Sequence, residues 1–276
     1  LNADGETNGV GNFSLGVAAT LQTGNNGTIS VGGENVDLDS TGIIDPNNAG
    51  DAGTLNISAD LNGNGSGTAT ISKNADLTGV GSLIVDNGAT DITIQPAGAD
   101  LYSDILNAID GDIDISTDGG ITIAGGQLGG ANTDDITLTA GAAETIDIDA
   151  DVDATNDVLE VLQAGSVDIA QDINLSAGDD IVLGAADAID LDGGALGTNT
   201  FTAVGGSVTL PALDATNAAH DLTILAGGDV TLEGNVGDGV GTDPGTLTID
   251  FDQGEVGSIM TAQGSINAGD IIIRGT

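Results

Sequence analysis

An aliphatic–polar–aliphatic triplet, most often centred on threonine or aspartate, recurs along the chain at nearly constant spacing. One series runs Ile92-Thr93-Ile94, Ile113-Asp114-Ile115, Ile136-Thr137-Leu138, Val158-Leu159, Ile181-Val182-Leu183, Phe201-Thr202, Leu222-Thr223-Ile224 and Leu247-Thr248-Ile249. A second, with a similar step, runs Ile121-Thr122-Ile123, Ile146-Asp147-Ile148, Val167-Asp168-Ile169, Ile189-Asp190-Leu191, Val208-Thr209-Leu210 and Val230-Thr231-Leu232. A weaker third series, Val152, Ile173 to Leu175, Leu196, Leu213 and Val236, falls between them. On a strand, alternation with period two turns the outer members of each triplet to one side and the central member to the other. Glycine, asparagine and aspartate fill the gaps as turn residues. One such unit cannot bury its inward residues alone, so the coils must stack. The pattern predicts an all-β fold: a single-stranded parallel β-helix with three faces, about 22 residues per coil and roughly 12 coils.

The first 50 residues keep the spacing less well, although Phe13 to Val17, Thr28 to Val31 and Val36 to Leu38 read as strands. The chain therefore divides into an irregular β section over 1–50, a candidate subunit-contact region, and the β-helix proper over 51–276. Asp100 to Ile109, with Leu101, Ile105 and Ile109 recurring every fourth position, is the one helical candidate. Val158 to Leu162 also has a helical look but lies on the repeat register and reads as strand.

Composition narrows the function. There are 43 acidic and 2 basic residues, for a net charge of -41, which argues against nucleic acid and anionic membranes as partners. With 39% hydrophobic residues in strand-period order, the acidity does not signal a disordered tail. Aromatics are 1%, so the core must be built from aliphatic ladders. No cysteine is present, which excludes disulfides and thiolate metal sites. No apolar run approaches the roughly 20 residues of a spanning helix, so membrane insertion is not expected. The absence of a starting methionine and of a charged, apolar leader suggests a processed product or an excerpt. Almost all the acidic residues are aspartate. Aspartate bonds local backbone in turns and tolerates left-handed conformations, so turn chemistry accounts for much of the bias, with a ligand site or a salt-rich habitat as other sources.

Three candidate features emerge. The outward column Asp147, Asp168 and Asp190 would set carboxylates on consecutive coils about 4.8 Å apart, a cation-bridging ladder for calcium or another divalent ion, with a solvated, ion-screened face as the plain reading. No cofactor is otherwise required. Leu159 and Val182 read as exposed apolar residues on neighbouring coils and hence as a subunit contact. The column Thr93, Thr137, Thr202, Thr223 and Thr248 is accounted for by β propensity. Chemistry for catalysis is sparse. Asp179 and Asp180 form a carboxylate pair, but neighbours on a strand point to opposite faces. His220 beside Asp221 has no evident nucleophile and reads as a surface loop residue. Lys73 and Arg274 are too far apart in sequence to neutralise an anionic substrate.

The phrases Gly227-Gly-Asp-Val-Thr-Leu232, Ala177-Gly-Asp-Asp-Ile-Val-Leu183 and Gly205-Gly-Ser-Val-Thr-Leu210 resemble the repeats of filamentous-haemagglutinin-like and autotransporter-type bacterial surface proteins, from about Leu55 onward. The resemblance implies secretion, a right-handed shaft, and a role in adhesion or in a biofilm matrix. The expected function is an extracellular or cell-surface structural protein of a bacterium or archaeon, without enzymatic activity. Such a rod would polymerise head to tail with copies of itself or form an adhesin shaft, with host or matrix glycans as further partners. The alternative is a calcium-dependent carbohydrate-binding or polysaccharide-degrading β-helix.

Overall fold

A computed structural model describes residues 12–14, 20–22, 27–33, 35–38, 43–45, 53–58, 68–72, 80–86, 92–95, 111–116, 120–123, 127–130, 133–192, 197–215, 220–237, 243–251 and 258–275. Every strand pairing among them is parallel and joins one coil to the next, and no helix occurs among the described residues. The Asp100 to Ile109 candidate lies outside them.

Three faces build the solenoid. The first stacks Ile29, Leu55, Leu83, Ile113, Ile136, Leu159, Ile181, Val208, Val230 and Met260 in register. The second stacks Phe13, Val36, Ala69, Ile92, Ile121, Ile146, Val167, Ile189, Leu213, Val236 and Ile266. The third stacks Leu128, Val152, Leu175, Phe201, Ile224, Ile249 and Ile273. These columns close about six complete coils from Gln127 onward. Before that, the pair Thr20–Gln22 and Ile43–Asp45 stands, in chain order, where a third-face strand belongs: after a second-face strand and before a first-face one. Strands before residue 50 thus ladder directly onto those after it, as Ile29 does on Leu55.

Among the residues whose side chains are described, inward positions are almost all aliphatic and, before the last coil, almost all fully buried, so each coil's apolar surface is covered by the coils on either side. The third face carries a second inward column, Ala154, Ala177, Ala203 and Ala226, beside the corner that leads to the first face. A methyl group is what a tight corner admits. Phe201, on the same face, is the largest fully buried side chain.

The two sequence series do not correspond to two faces. Ile113 to Ile181 lie on the first face, whereas Phe201, Leu222 and Leu247 lie on the third. Ile146 to Ile189 lie on the second face, whereas Val208 and Val230 lie on the first. Ile92 belongs to the second face, and Leu213 and Val236 of the third series do too. The cause is a trade of lengths at one place. From second to third face, the passage from Ile189 to Phe201 is longer than the one a coil earlier, from Val167 to Leu175. From first to second face, the passage from Val208 to Leu213 is shorter than that from Leu159 to Val167. The interval between triplets stays nearly constant while the face changes.

The glycine-rich phrases sit at the corner between third and first faces. A Cβ on Gly178 would lie 2.3 Å from the Thr155 carbonyl oxygen of the coil below, and one on Gly227 would lie 2.4 Å from that of Val204. Only glycine lets the backbones of successive coils approach this closely.

Candidate functional site

Aspartates at the corners hold successive coils together. Asp135 Oδ1 accepts the Val158 N–H at 3.1 Å, and Asp180 Oδ1 accepts that of Ser207 at 2.6 Å. Ser207 Oγ accepts the Asp229 N–H at 3.1 Å, and Asp229 Oδ1 accepts that of Ile259 at 2.7 Å. Asp180, Ser207 and Asp229 immediately precede a first-face strand, Asp135 lies within one just before its Ile136, and each side chain reaches to the coil after its own. The corner before the third face does the same: Asp151 accepts from Asn174 at 2.7 Å, Asp172 from Thr198 at 3.0 Å, and Asp221 from Thr246 at 2.7 Å. The expected link between aspartate and turns is therefore real, but most of these bonds join residues a full coil apart in the chain, as Asp229 and Ile259 are, instead of closing a single turn. Asp172, with φ of 61°, is the one described non-glycine residue in the left-handed region. The short carboxylate suits this work because it reaches one rung spacing and no further.

The acidic ladder is present in register. Asp147 stands opposite Asp168, Asp168 opposite Asp190, and Asp190 opposite Asp214, which sequence spacing had not included. All four are half-buried. Asp151 and Asp153 do not extend this column, because the chain turns a corner at Ala150 and puts them on the third face. There Asp153 accepts from Ser176 Oγ at 2.7 Å. Among the described residues, no three His, Asp or Glu side chains group as a metal site, so the ladder is a row and not a cage. Beside its upper end a shallow hollow of about 230 Å³ is lined by Ala188, Ala212, Leu213, Asp214, Asn235 and Gly237.

Other sequence candidates are relocated. Leu159 is 1% exposed and points into the core between Ile136 and Ile181, so it cannot form an outer contact. The triplet there is Leu159-Glu160-Val161, one residue later than the nominal period places it, and Glu160 is its outward member. Val182 does face outward, half-buried between Glu160 and Thr209. His220 is fully buried, not a surface loop residue. It takes the inward register two positions before Leu222, and Gly197 on the coil below leaves the room for its ring. Asp180 is occupied in clamping Ser207, while Asp179 is exposed, so the two do not face one substrate. The threonines divide among faces, and the true column is Thr200, Thr223 and Thr248 on the third. Lys73 lies outside the described residues, and Arg274 approaches Asp250 at 4.0 Å.

The last described coil exposes apolar side chains where the sequence stops. Ile259, Ile271, Ile272 and Ile273 are 61%, 46%, 37% and 49% exposed, although Ile271 and Ile273 continue the inward columns of Leu247 and Ile249. No helix of the described residues is long and apolar enough to cross a membrane. Comparison of the chain with protein-family models, curated proteins and solved structures finds no match.

Proposed function

We propose that this protein is a structural rod of the cell surface or extracellular space that assembles end to end into filaments, or serves as the shaft of a larger adhesin, without catalysing a reaction. The observation that carries this reading is the stack itself: over the described residues each coil pairs in parallel with the next, so the body extends along one axis by repetition. Copies joined along such an axis do not close on themselves, so they generate a fibre. The rest of the described surface supports the same reading. Several of its aspartates clamp coil to coil, and the hollow beside the acidic ladder is shallow and lacks a set of convergent polar groups. In this reading calcium or another divalent cation is not a cofactor but a counterion that draws acidic rods and the carboxylate ladder together.

Electron microscopy of the purified chain, with and without a chelator, tests the proposal. Eleven rungs on the second face at strand spacing correspond to about 50 Å of axis, so fibres with an axial repeat near that length are the expected result. Their loss on chelation would assign the ladder a bridging role. Separate short rods in both conditions would sink the polymer reading and favour glycan binding along the acidic face.

A further inference from the structure

We propose that His220 is an acid-sensitive joint of the rod: protonation of this one buried imidazole below about pH 6.5 opens the corner between the second and third faces, whether or not copies of the chain join end to end. The chain has a single histidine and no cysteine, so His220 is the only side chain whose ordinary titration falls between about pH 5 and 8. It is 0% exposed and takes an inward place at the start of the strand His220–Ala226.

The slot around the ring is made for a neutral side chain. Gly197 lies opposite it on the coil below, where an added Cβ would stand 2.7 Å from Gln171 Cβ and 3.4 Å from His220 Cε1. On the coil above, Gly245 donates its N–H to the His220 carbonyl at 2.8 Å. The inward residues of the other two faces on this coil, Val208, Leu210, Leu213 and Ala215, are aliphatic and buried. Asn199, diagonal to His220 across the rungs, is also 0% exposed; its Oδ1 accepts the Ile173 N–H at 3.0 Å, while its Nδ2 is a buried donor with no acceptor. An imidazolium donates from both nitrogens, so it adds a donor where one is already unmatched.

The charged groups nearby are turned to other work. Asp172, on the coil below, accepts the Thr198 N–H, and Asp221, next to His220 and outward, accepts that of Thr246. Gly197–Ala203 carries no ionisable side chain. On the coil above, Asp250 faces outward at the far end of Thr246–Phe251, near Arg274, and Asp243 Oδ1 lies 2.5 Å from where a Cβ on Gly237 would stand. A cation at His220 therefore loses water and sits among aliphatic groups. The opened chain takes up the proton that the closed corner disfavours, so stability is full above about pH 6.5 and falls as the pH drops below it. Neighbours on a strand face opposite sides, so turning His220 outward turns Asp221 inward and pulls it from the Thr246 N–H. The corner opens at the clamp.

The test compares wild type with His220→Leu, which fills the slot without a titratable group. The 43 acidic residues are common to both, so the ratio of their unfolding constants isolates the imidazole. Urea unfolding is expected to show wild type losing about tenfold relative to the variant between pH 7.5 and 5.5. Hydrogen exchange, corrected for intrinsic rates, should show protection in wild type falling first at Thr246 and Leu222–Ala226, and later at Val152 and Leu175. A second measurement needs no variant: the ring resonance of the one histidine in the folded protein should stay in its neutral position down to pH 5.5. A ring that titrates near pH 6.5 while the rod stays folded would overturn the proposal. So would a ratio that is flat with pH, or one that rises toward acid as a carboxylate partner would make it. Protection lost evenly along the rod would overturn the joint at this corner.

Discussion

Two rungs of the third face, Thr246–Phe251 and Asp270–Arg274, follow the same alternation and pair with each other residue for residue, yet Leu247 and Ile249 are sealed while Ile271 and Ile273 stand about half exposed. What separates them is the coil above. In a globular domain an inward side chain is buried by contacts from many directions. In this solenoid it is buried from below and above by its own column, so a rung's contribution to stability belongs to the pair of coils that share it. The hydrophobic pattern alone says which side chains point inward. It does not say which are covered.

The comparison is broken most severely by emptying the covered rung. Ile249→Ala removes a fully buried side chain between Ile224 and Ile273, and the neighbours are held apart by rung spacing and cannot collapse into the gap. A loss of about 2–5 kcal/mol is expected, whereas Ile273→Ala in the isolated chain should cost less than about 1 kcal/mol, because half of that side chain already meets solvent. Thermal melting followed by circular dichroism distinguishes them. Equal losses would show that the open rung is covered in solution. A smaller break lies at the corner. Gly227→Ala puts a Cβ against the Val204 carbonyl oxygen at 2.4 Å, while a Cβ on Gly205 meets the Gly178 oxygen only at 3.1 Å. The first substitution should destabilise by about 1–3 kcal/mol and clearly more than Gly205→Ala. Matching effects would mean that the coils separate freely at this corner.

The clamps give the next step down. Asp221→Ala leaves the Thr246 N–H without its 2.7 Å acceptor and should cost about 0.5–1.5 kcal/mol. Asp270→Ala lies in the same column on the last described rung and should leave the melting temperature of this chain unchanged, because no described strand lies beyond it for Asp270 to clamp. A fall of the same size in both would place an unrecognised acceptor role on Asp270 within the single chain.

How much of this was legible beforehand follows from what the sequence encodes locally. Alternation and period are local, and Ile113-Asp114-Ile115 or Val167-Asp168-Ile169 announce strand, inward side and outward side without reference to anything distant. Register is not local. The short passage from Val208 to Leu213 offsets the long one from Ile189 to Phe201, so counting triplets carries the reader from one face to another unawares. Leu159 was misplaced for the related reason that a shift of one residue exchanges inside for outside, and His220 because its strand begins two residues before the triplet Leu222-Thr223-Ile224 that announces it. The aspartate ladder survived because its three members fall on consecutive coils of nearly equal length, before the slip. Asp214 was missed because it falls after it. The clamps had a partial signal in aspartate or serine just before Ile181, Val208 and Val230, but their acceptor role depends on which amide the next coil brings opposite, and that is a matter of stacking.

The smallest effect, and the one that bears on cations, comes from the ladder itself. Asp147, Asp168, Asp190 and Asp214 repeat at rung spacing on the second face, whereas the third face carries the uncharged column Thr200, Thr223 and Thr248, which begins on the coil of Asp190. Neighbouring unit charges at about 4.8 Å repel by somewhat under ~1 kcal/mol at the dielectric of water and by more where the face is partly desolvated. Removing the central charge, as in Asp168→Asn, relieves two such contacts at once. The variant should therefore be more stable than wild type at low ionic strength, by about 1 kcal/mol, and the advantage should shrink toward zero at about 1 M monovalent salt, where screening acts over roughly 3 Å. Thr223→Asn on the neutral column should show no such salt dependence. The sign changes if a divalent ion bridges the row: in millimolar calcium the wild type would then gain more than Asp168→Asn does, and the variant would become the less stable protein. Melting both proteins across a salt series and a calcium series separates a screened row of carboxylates from one that binds, and identical responses of the aspartate and threonine variants would remove the ladder from any account of cation dependence.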